Sequence, residues 1–254
     1  MHALIGKRVL VTGGAVRIGR AIALRFAEAG ARVIVHYRSS VEQAQELKSQ
    51  LDTLSSGNAI VQADLTDAAR LESLIADASA LGGGLDILVN NASVYRRTPL
   101  LKLDAHRLRK DMEINFFAPL LLMRDFARQC QRGVIINLLD QRVTKVEPSA
   151  GSYGLAKKGL RDATEAAALE WAPDIRVNGV APGFVLPPPG VSADKMKGLL
   201  GEVPLHRETS PEEIAEACAF LAAAETVTGQ VLFVDGGMHL TGAAQLERDE
   251  ADYG

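Results

Sequence analysis

Tyr153 and Lys157 stand four residues apart in an Ala-rich, helix-compatible stretch, so their side chains fall on one face and point to the same place. A phenol is too weak an acid for use at neutral pH unless nearby positive charge stabilises its phenolate. An adjacent ammonium does this and also reaches a ribose hydroxyl. The chemistry that fits the pair is proton transfer accompanying hydride transfer. The same spacing arises by chance on solvated helix faces, so the pair carries weight only with its surroundings.

A second constellation lies near the start of the chain. Val9 to Val11 is a short apolar run that leads into Thr12-Gly13-Gly14-Ala15-Val16-Arg17-Ile18-Gly19. A Gly-rich turn opening a helix lets backbone N–H groups approach a pyrophosphate, because glycine has no Cβ and the helix dipole favours anions. Arg17 stands where many dinucleotide loops carry a middle glycine, and a guanidinium there fits a ligand with extra negative charge or a substrate with an acceptor near the cofactor. The helix predicted over Arg20 to Gly30 and the strand Arg32 to Val35 complete a βαβ unit of the right length for a dinucleotide site.

The end of the second strand selects the cofactor. An NAD site places Asp or Glu there for the ribose 2′-hydroxyl, whereas a 2′-phosphate needs donors or positive charge. The chain reads His36-Tyr37-Arg38-Ser39-Ser40, with no carboxylate before Glu42. Arg38 and Ser39 can grip a phosphate dianion, and His36 and Arg17 are expected to add to the same positive corner, which points to NADPH. After the third strand, Asp64-Leu65 falls where an adenine is bracketed, although Asp64 fits equally well as the cap of the following helix.

The elements that must position these groups alternate along the chain. Strands are predicted near Val9, Val33, Ala59 to Val61, Leu85 to Val89, Val134 to Asn137, Ile175 to Val180 and Val231 to Val234, with helices between them. The expected fold is a single-domain, Rossmann-type, doubly wound α/β structure. Its mostly parallel seven-stranded sheet has helices on both faces and a ligand crevice at the carboxyl ends of the strands. The catalytic domain is expected over residues 1–240. A Pro-rich substrate loop, Phe184 to Leu200, includes Pro187-Pro188-Pro189-Gly190 and a short helical stretch from Lys195, and a polar, acidic tail spans residues 241–254.

Composition excludes several classes. A formal net charge of -3 with mixed signs throughout its 254 residues lacks the basic footprint of a nucleic-acid binder. Only Cys130 and Cys218 occur, far apart and in no metal-like spacing, which fits a reducing compartment and predicts neither a disulfide nor a metal site. No run approaches the roughly 20 apolar residues needed to span a bilayer, and the N-terminus lacks a signal-peptide layout. The expectation is a soluble cytoplasmic protein whose partners are small molecules and copies of itself.

Taken in order, Thr12 to Gly19, Asn90-Asn91-Ala92, Asn115, Tyr153 with Lys157, Pro182-Gly183 and Val234-Asp235-Gly236-Gly237 resemble the short-chain dehydrogenase/reductases over nearly the full length. The resemblance implies Tyr153 as proton donor, Lys157 as its electrostatic partner and nicotinamide-ribose ligand, and Asn115 as holder of a proton-relay water. It also implies cofactor contacts at Gly13, Arg17, Ile18, Gly19, Asn91, Ala92, Pro182 and Gly183, and a homotetramer. Most of that family carry a serine thirteen residues before the tyrosine, to donate a hydrogen bond to a substrate carbonyl; here the position is Asp140. An ionised carboxylate cannot donate. It suits a substrate presenting N–H groups, or it delivers a proton itself if burial raises its pKa. Ser149 and Ser152 are alternative hydroxyls.

Arg17, His36 to Ser39, Asn90 to Ser93, Asp140 and Val203-Pro204-Leu205 with Arg207 resemble a subgroup, the pteridine and dihydromonapterin reductases. That resemblance implies reduction of a pterin or dihydropterin ring C=N bond, with Arg17, Ser93, Tyr95, Asp140 and Tyr153 around the substrate. Tyr95 would stack on the heterocycle opposite the nicotinamide, or else pack on a neighbouring subunit. Two other readings use the same residues: reduction of a ketone, sugar or acyl carbonyl, and an NADPH sensor or scaffold without turnover.

Overall fold

Period-two alternation in the strands builds two cores, one on each face of a sheet. The computed structural model describes residues 4–147, 150–185 and 199–241. Seven parallel strands are ordered β3-β2-β1-β4-β5-β6-β7: β1 Arg8–Val11, β2 Arg32–Tyr37, β3 Ala59–Gln62, β4 Ile87–Asn90, β5 Gly133–Leu138, β6 Ile175–Pro182 and β7 Val231–Val234. The expected doubly wound topology is present, and each predicted strand has its counterpart.

Val9, Val11, Val33, Val35, Val89 and Ile136 point to one face, and Leu10, Ile34, Leu88 and Ile135 to the other. Helices α1 (Arg17–Glu28) and α2 (Val41–Leu54) cover the first face, together with α7 (Pro211–Ala223). Phe26, Leu47 and Ile214 are fully or almost fully buried there. The second face is covered by α3 (Ala68–Gly82), α5 (Ala118–Cys130) and α6 (Gly151–Glu170), through Leu74, Phe126 and Leu160. Each such side chain contributes about 1.5–3 kcal/mol by leaving water. Both faces need covering because every strand of a parallel sheet is apolar on both sides.

Helix starts follow their caps. Asp67 caps α3, accepting from the N–H groups of Ala69 and Arg70, and Asp104 caps α4 (Ala105–Met112) through Arg107 N–H. Ser210 and Glu213 form a reciprocal capping box at the start of α7, with Pro211 in the first turn. Helix α1 differs. It begins at Arg17, three residues before the predicted start, has no side-chain cap and carries no acid in its first turn. The order of strands reverses at β1, which pairs with both β2 and β4. That switch point opens a crevice at the carboxyl edge, where Thr12, Asn91 and Asp140 emerge.

The Pro-rich part of the expected substrate loop, the helical stretch from Lys195 to 198 and the tail from residue 242 lie outside the described residues. Leu199–Glu202 is a turn of 3-10 helix. No helix among the described residues is long and apolar enough to cross a membrane.

Candidate active site

The glycine turn after β1 is held from three sides. Thr12 Oγ accepts from the N–H groups of Asn91 (2.9 Å) and Ala92 (3.1 Å), and Asn91 Nδ2 donates to the carbonyls of Thr12 (2.9 Å) and Gly13 (3.1 Å). Gly13 has φ +60, and a Cβ there would lie 3.1 Å from Ala92 Cα; a Cβ on Gly19 would lie 2.2 Å from the Gly13 carbonyl oxygen. The turn is therefore closed to side chains where its backbone faces Asn91 and Ala92. Arg17 adopts φ +54, a left-handed conformation that costs a non-glycine residue on the order of 1 kcal/mol, and its side chain is exposed beside the first turn of α1.

His36 departs from its expected role. It is 2 % exposed; Nδ1 accepts from Gly13 N–H (3.0 Å) and Nε2 donates to the Ala63 carbonyl (3.1 Å). Burial pushes its pKa from 6.5 down to about 4, so the ring is neutral. It adds no charge to a phosphate corner and instead pins the glycine turn to β2 and the segment after β3. Arg38 and Ser39 stand exposed at the end of β2, as a 2′-phosphate site requires. Asp64 does not cap α3, which Asp67 does. Asp64 Oδ1 accepts from the N–H (3.0 Å) and hydroxyl (2.8 Å) of Thr66, and these bonds lower its pKa. Leu65 beside it is buried. At the far side of the crevice, Gly183 N–H donates to Val234 O (3.0 Å), and a Cβ there would lie 2.7 Å from Asp235 Cα.

These features fit a dinucleotide: a tightly packed glycine turn, an uncapped helix start and exposed donors with no carboxylate after β2. Gly13, Arg17, Ile18 and Gly19 would face the pyrophosphate and Arg38 with Ser39 the adenosine end, while Lys157 would face the nicotinamide ribose.

The predicted catalytic groups converge where β5 meets α6. The Tyr153 hydroxyl donates to Asp140 Oδ2 (2.9 Å), and burial, followed by the charge of Asp140, holds the phenol well above its usual pKa. Lys157 is 3 % exposed, donates to the Leu138 carbonyl (2.6 Å) and lies 5.9 Å from the Tyr153 ring centroid; burial lowers its pKa to about 8. Tyr95 packs against Tyr153 in a T-shaped contact, with centroids 4.9 Å apart and planes at 73°. The two serine alternatives diverge. Ser152 is buried and donates to Asp111 Oδ2 (2.6 Å), away from the tyrosine, while Ser149 lies outside the described residues.

Asn115 sits in a π-helical turn, Glu113–Phe117, a distortion that often marks functional sites. Its amide is already saturated: Oδ1 accepts from Ser93 Oγ (2.7 Å) and Val94 N–H (3.1 Å), and Nδ2 donates to the carbonyls of Val94 (3.0 Å) and Asp111 (2.9 Å). The expected water-holding role is thus not open to this side chain in this arrangement. It anchors the loop carrying Ser93 and Tyr95.

Arg142 was not among the predicted site residues. It follows β5 in the 3-10 turn Gln141–Thr144, donates through Nη1 to both Asp140 oxygens (3.1 and 3.0 Å), pairs with Glu147 and lies over the Tyr95 ring, 5.1 Å from its centroid. An Asp-x-Arg spacing directly after a strand was the available signal. Thr12 was visible in the loop motif, but its two N–H partners come from the segment just after β4, which no local pattern reveals.

Fold and site together define an oxidoreductase with a dinucleotide cradle and a Tyr/Lys pair. A family model described as enoyl-(acyl carrier protein) reductase matches residues 14–239. The 3-oxoacyl-acyl-carrier-protein reductase FabG of Staphylococcus aureus is 33% identical over 242 residues, covering 92% of this chain and 98% of its own. The 3beta-hydroxysteroid dehydrogenase 1 of Eggerthella lenta is 34% identical over 250 residues, covering 93% and 95%. Among solved structures, FolM alternative dihydrofolate reductase 1 from Brucella canis, complexed with NADP, superposes with a TM-score of 0.86 at 34% identity, covering 94% of this chain and 96% of that one. Its Brucella suis counterpart, also with NADP, gives 0.87 at 33%. The chain belongs to the short-chain dehydrogenase/reductase family.

Proposed function

We propose that this protein is an NADPH-dependent reductase of a pterin or dihydropterin ring C=N bond. The observation that carries the reading is the Tyr153 hydroxyl on Asp140 with Tyr95 against the same ring. Where a carbonyl reductase needs a hydroxyl donor for its substrate, this crevice presents a carboxylate engaged with Tyr153 and Arg142, which cannot donate to a carbonyl oxygen. The likeness to alternative dihydrofolate reductases complexed with NADP supports it, as do Arg38 and Ser39 for the NADPH preference.

When bound, the reduced nicotinamide supplies a hydride to the ring carbon. Tyr153, kept protonated by its burial and by Asp140, holds the proton for the ring nitrogen, and the Lys157 ammonium beside it stabilises the phenolate left behind. Ser93, Tyr95 and Arg17 line the approach, while Asp140 accepts from Tyr153.

The likeness to FabG favours a second reading, reduction of an acyl carbonyl. The two are separated by Asp140→Ser, which replaces the carboxylate with a hydroxyl donor and leaves Arg142 paired with Glu147. Loss of one charge-assisted hydrogen bond predicts a fall of about ten- to a hundredfold in kcat/KM for a dihydropterin and a gain for a ketone. An unchanged ratio of the two would refute the role given to Asp140.

A further inference from the structure

Every lone-pair position on Asp140 is taken. Oδ1 accepts from the Arg142 backbone N–H (2.9 Å) and from Nη1 (3.1 Å); Oδ2 accepts from Nη1 (3.0 Å) and from Tyr153 (2.9 Å). A carboxylate offers about four such sites. A protonated Asp140 would have to give one of them up, so this environment is built for an acceptor. On its other side Arg142 is clamped by Glu147, which also pairs with Arg97 (3.4 Å) from the loop that carries Tyr95. Burial alone would lower the Arg142 pKa; the carboxylates of Asp140 and Glu147 outweigh it and keep the guanidinium charged.

Resting on the reductase reading above, we infer that Arg142 is the positioning residue of the proton donor: it fixes Asp140 as an acceptor that aims the Tyr153 hydroxyl, and it holds Tyr95 in the same clamp. The proton that reaches substrate therefore comes from Tyr153 and not from Asp140. The O–H bond that breaks is that of Tyr153, and the N–H bond that forms is on the substrate. The ring carbon receives its electron pair as hydride from a reduced nicotinamide, and the phenolate left behind faces Lys157. Tyr153 is faced by Asp140 and Arg142 from the turn after β5, by Tyr95 from the loop after β4 and by Lys157 from its own helix. Of the two charges on that turn, Asp140 makes the phenol a weaker acid and Arg142 opposes it.

The test compares Arg142→Met and Arg142→Lys in the full chain with NADPH, using two readouts: the pH profile of kcat, and the NMR resonance of the Tyr153 ζ carbon in isotope-labelled protein, assigned by its loss in Tyr153→Phe. The methionine variant is expected to lose about ten- to a hundredfold in kcat, with KM for NADPH unchanged within about twofold. Its basic limb should move to higher pH and its Tyr153 resonance away from wild type, and the lysine variant should recover most of each. A methionine variant with wild-type kcat and resonance overturns the inference. So does an equal loss in both variants with the resonance unmoved, which marks a structural role only. Should the methionine variant fail to fold, Arg142→Met/Glu147→Gln, which also removes the carboxylate that Arg142 clamped, is measured in the same way. If wild type reduces no pterin, the substrate reading fails while the resonance still decides the role of Arg142.

Discussion

Lowering the pH from 7 toward 4 charges His36, and the cost is set by where that ring sits. Its Nδ1 accepts from Gly13 N–H and its Nε2 donates to Ala63 O, so a second ring proton would set two donors against each other at Gly13. The ring binds a proton with a pKa of about 4 when folded and 6.5 when unfolded, chiefly because it is buried. The unfolded chain therefore holds more protons between these values, and stability contributed by the neutral ring, present above pH 6.5, is lost as pH falls toward 4. Linkage gives a loss of about 2 kcal/mol by pH 5 and roughly 3 kcal/mol in all, levelling off below pH 4 as the folded ring also takes up its proton. His36→Asn keeps an oxygen acceptor near the Nδ1 position and removes the titration. Urea unfolding of wild type and variant from pH 7 to pH 4.5 measures the difference. The stability advantage of wild type should shrink by about 2 kcal/mol across that window. Parallel pH curves for the two proteins would refute the neutral, pinned histidine.

Three further outcomes follow from the geometry. Gly19→Ala puts a Cβ 2.2 Å from the Gly13 carbonyl and should weaken NADPH binding at least about tenfold, read by fluorescence titration, with the fold intact by circular dichroism. Lys157 loses its charge as pH rises through about 8, so the KM for NADPH should rise over that range in wild type and stay flat in Lys157→Met. Ser152→Ala strips the buried Asp111 of a 2.6 Å hydrogen bond and should cost about 1–3 kcal/mol in thermal or urea unfolding while leaving kcat within about twofold, because Ser152 faces away from Tyr153.

The sheet was readable in the sequence because each strand is a short apolar run between polar or glycine punctuation, and parallel strands need no partner pattern to be seen. Tyr153, Lys157 and Asp140 were found because spacing and position after a strand are local. What escaped is long-range. His36 looked like a basic corner in HYRSS, and only the register of β2 beside β1 and β3 turns its ring inward onto Gly13 and Ala63. Asn115 looked like a water ligand, and the loop folding back from β4 saturates its amide. Arg142 is two residues from a predicted site residue, yet its importance lies in joining Asp140, Glu147 and Tyr95, from two separate loops. Asp64 and Asp67 both precede α3, and only the backbone path selects Asp67 as its cap.

NADPH consumption by the purified protein with 7,8-dihydrobiopterin or dihydromonapterin, set beside a panel of ketones and 3-oxoacyl thioesters, tests the central claim most directly. The proposed function predicts turnover of a dihydropterin with a kcat/KM above that of every carbonyl tested, and its abolition in Tyr153→Phe. No oxidation of NADPH with any pterin, alongside efficient reduction of a 3-oxoacyl thioester, would contradict it.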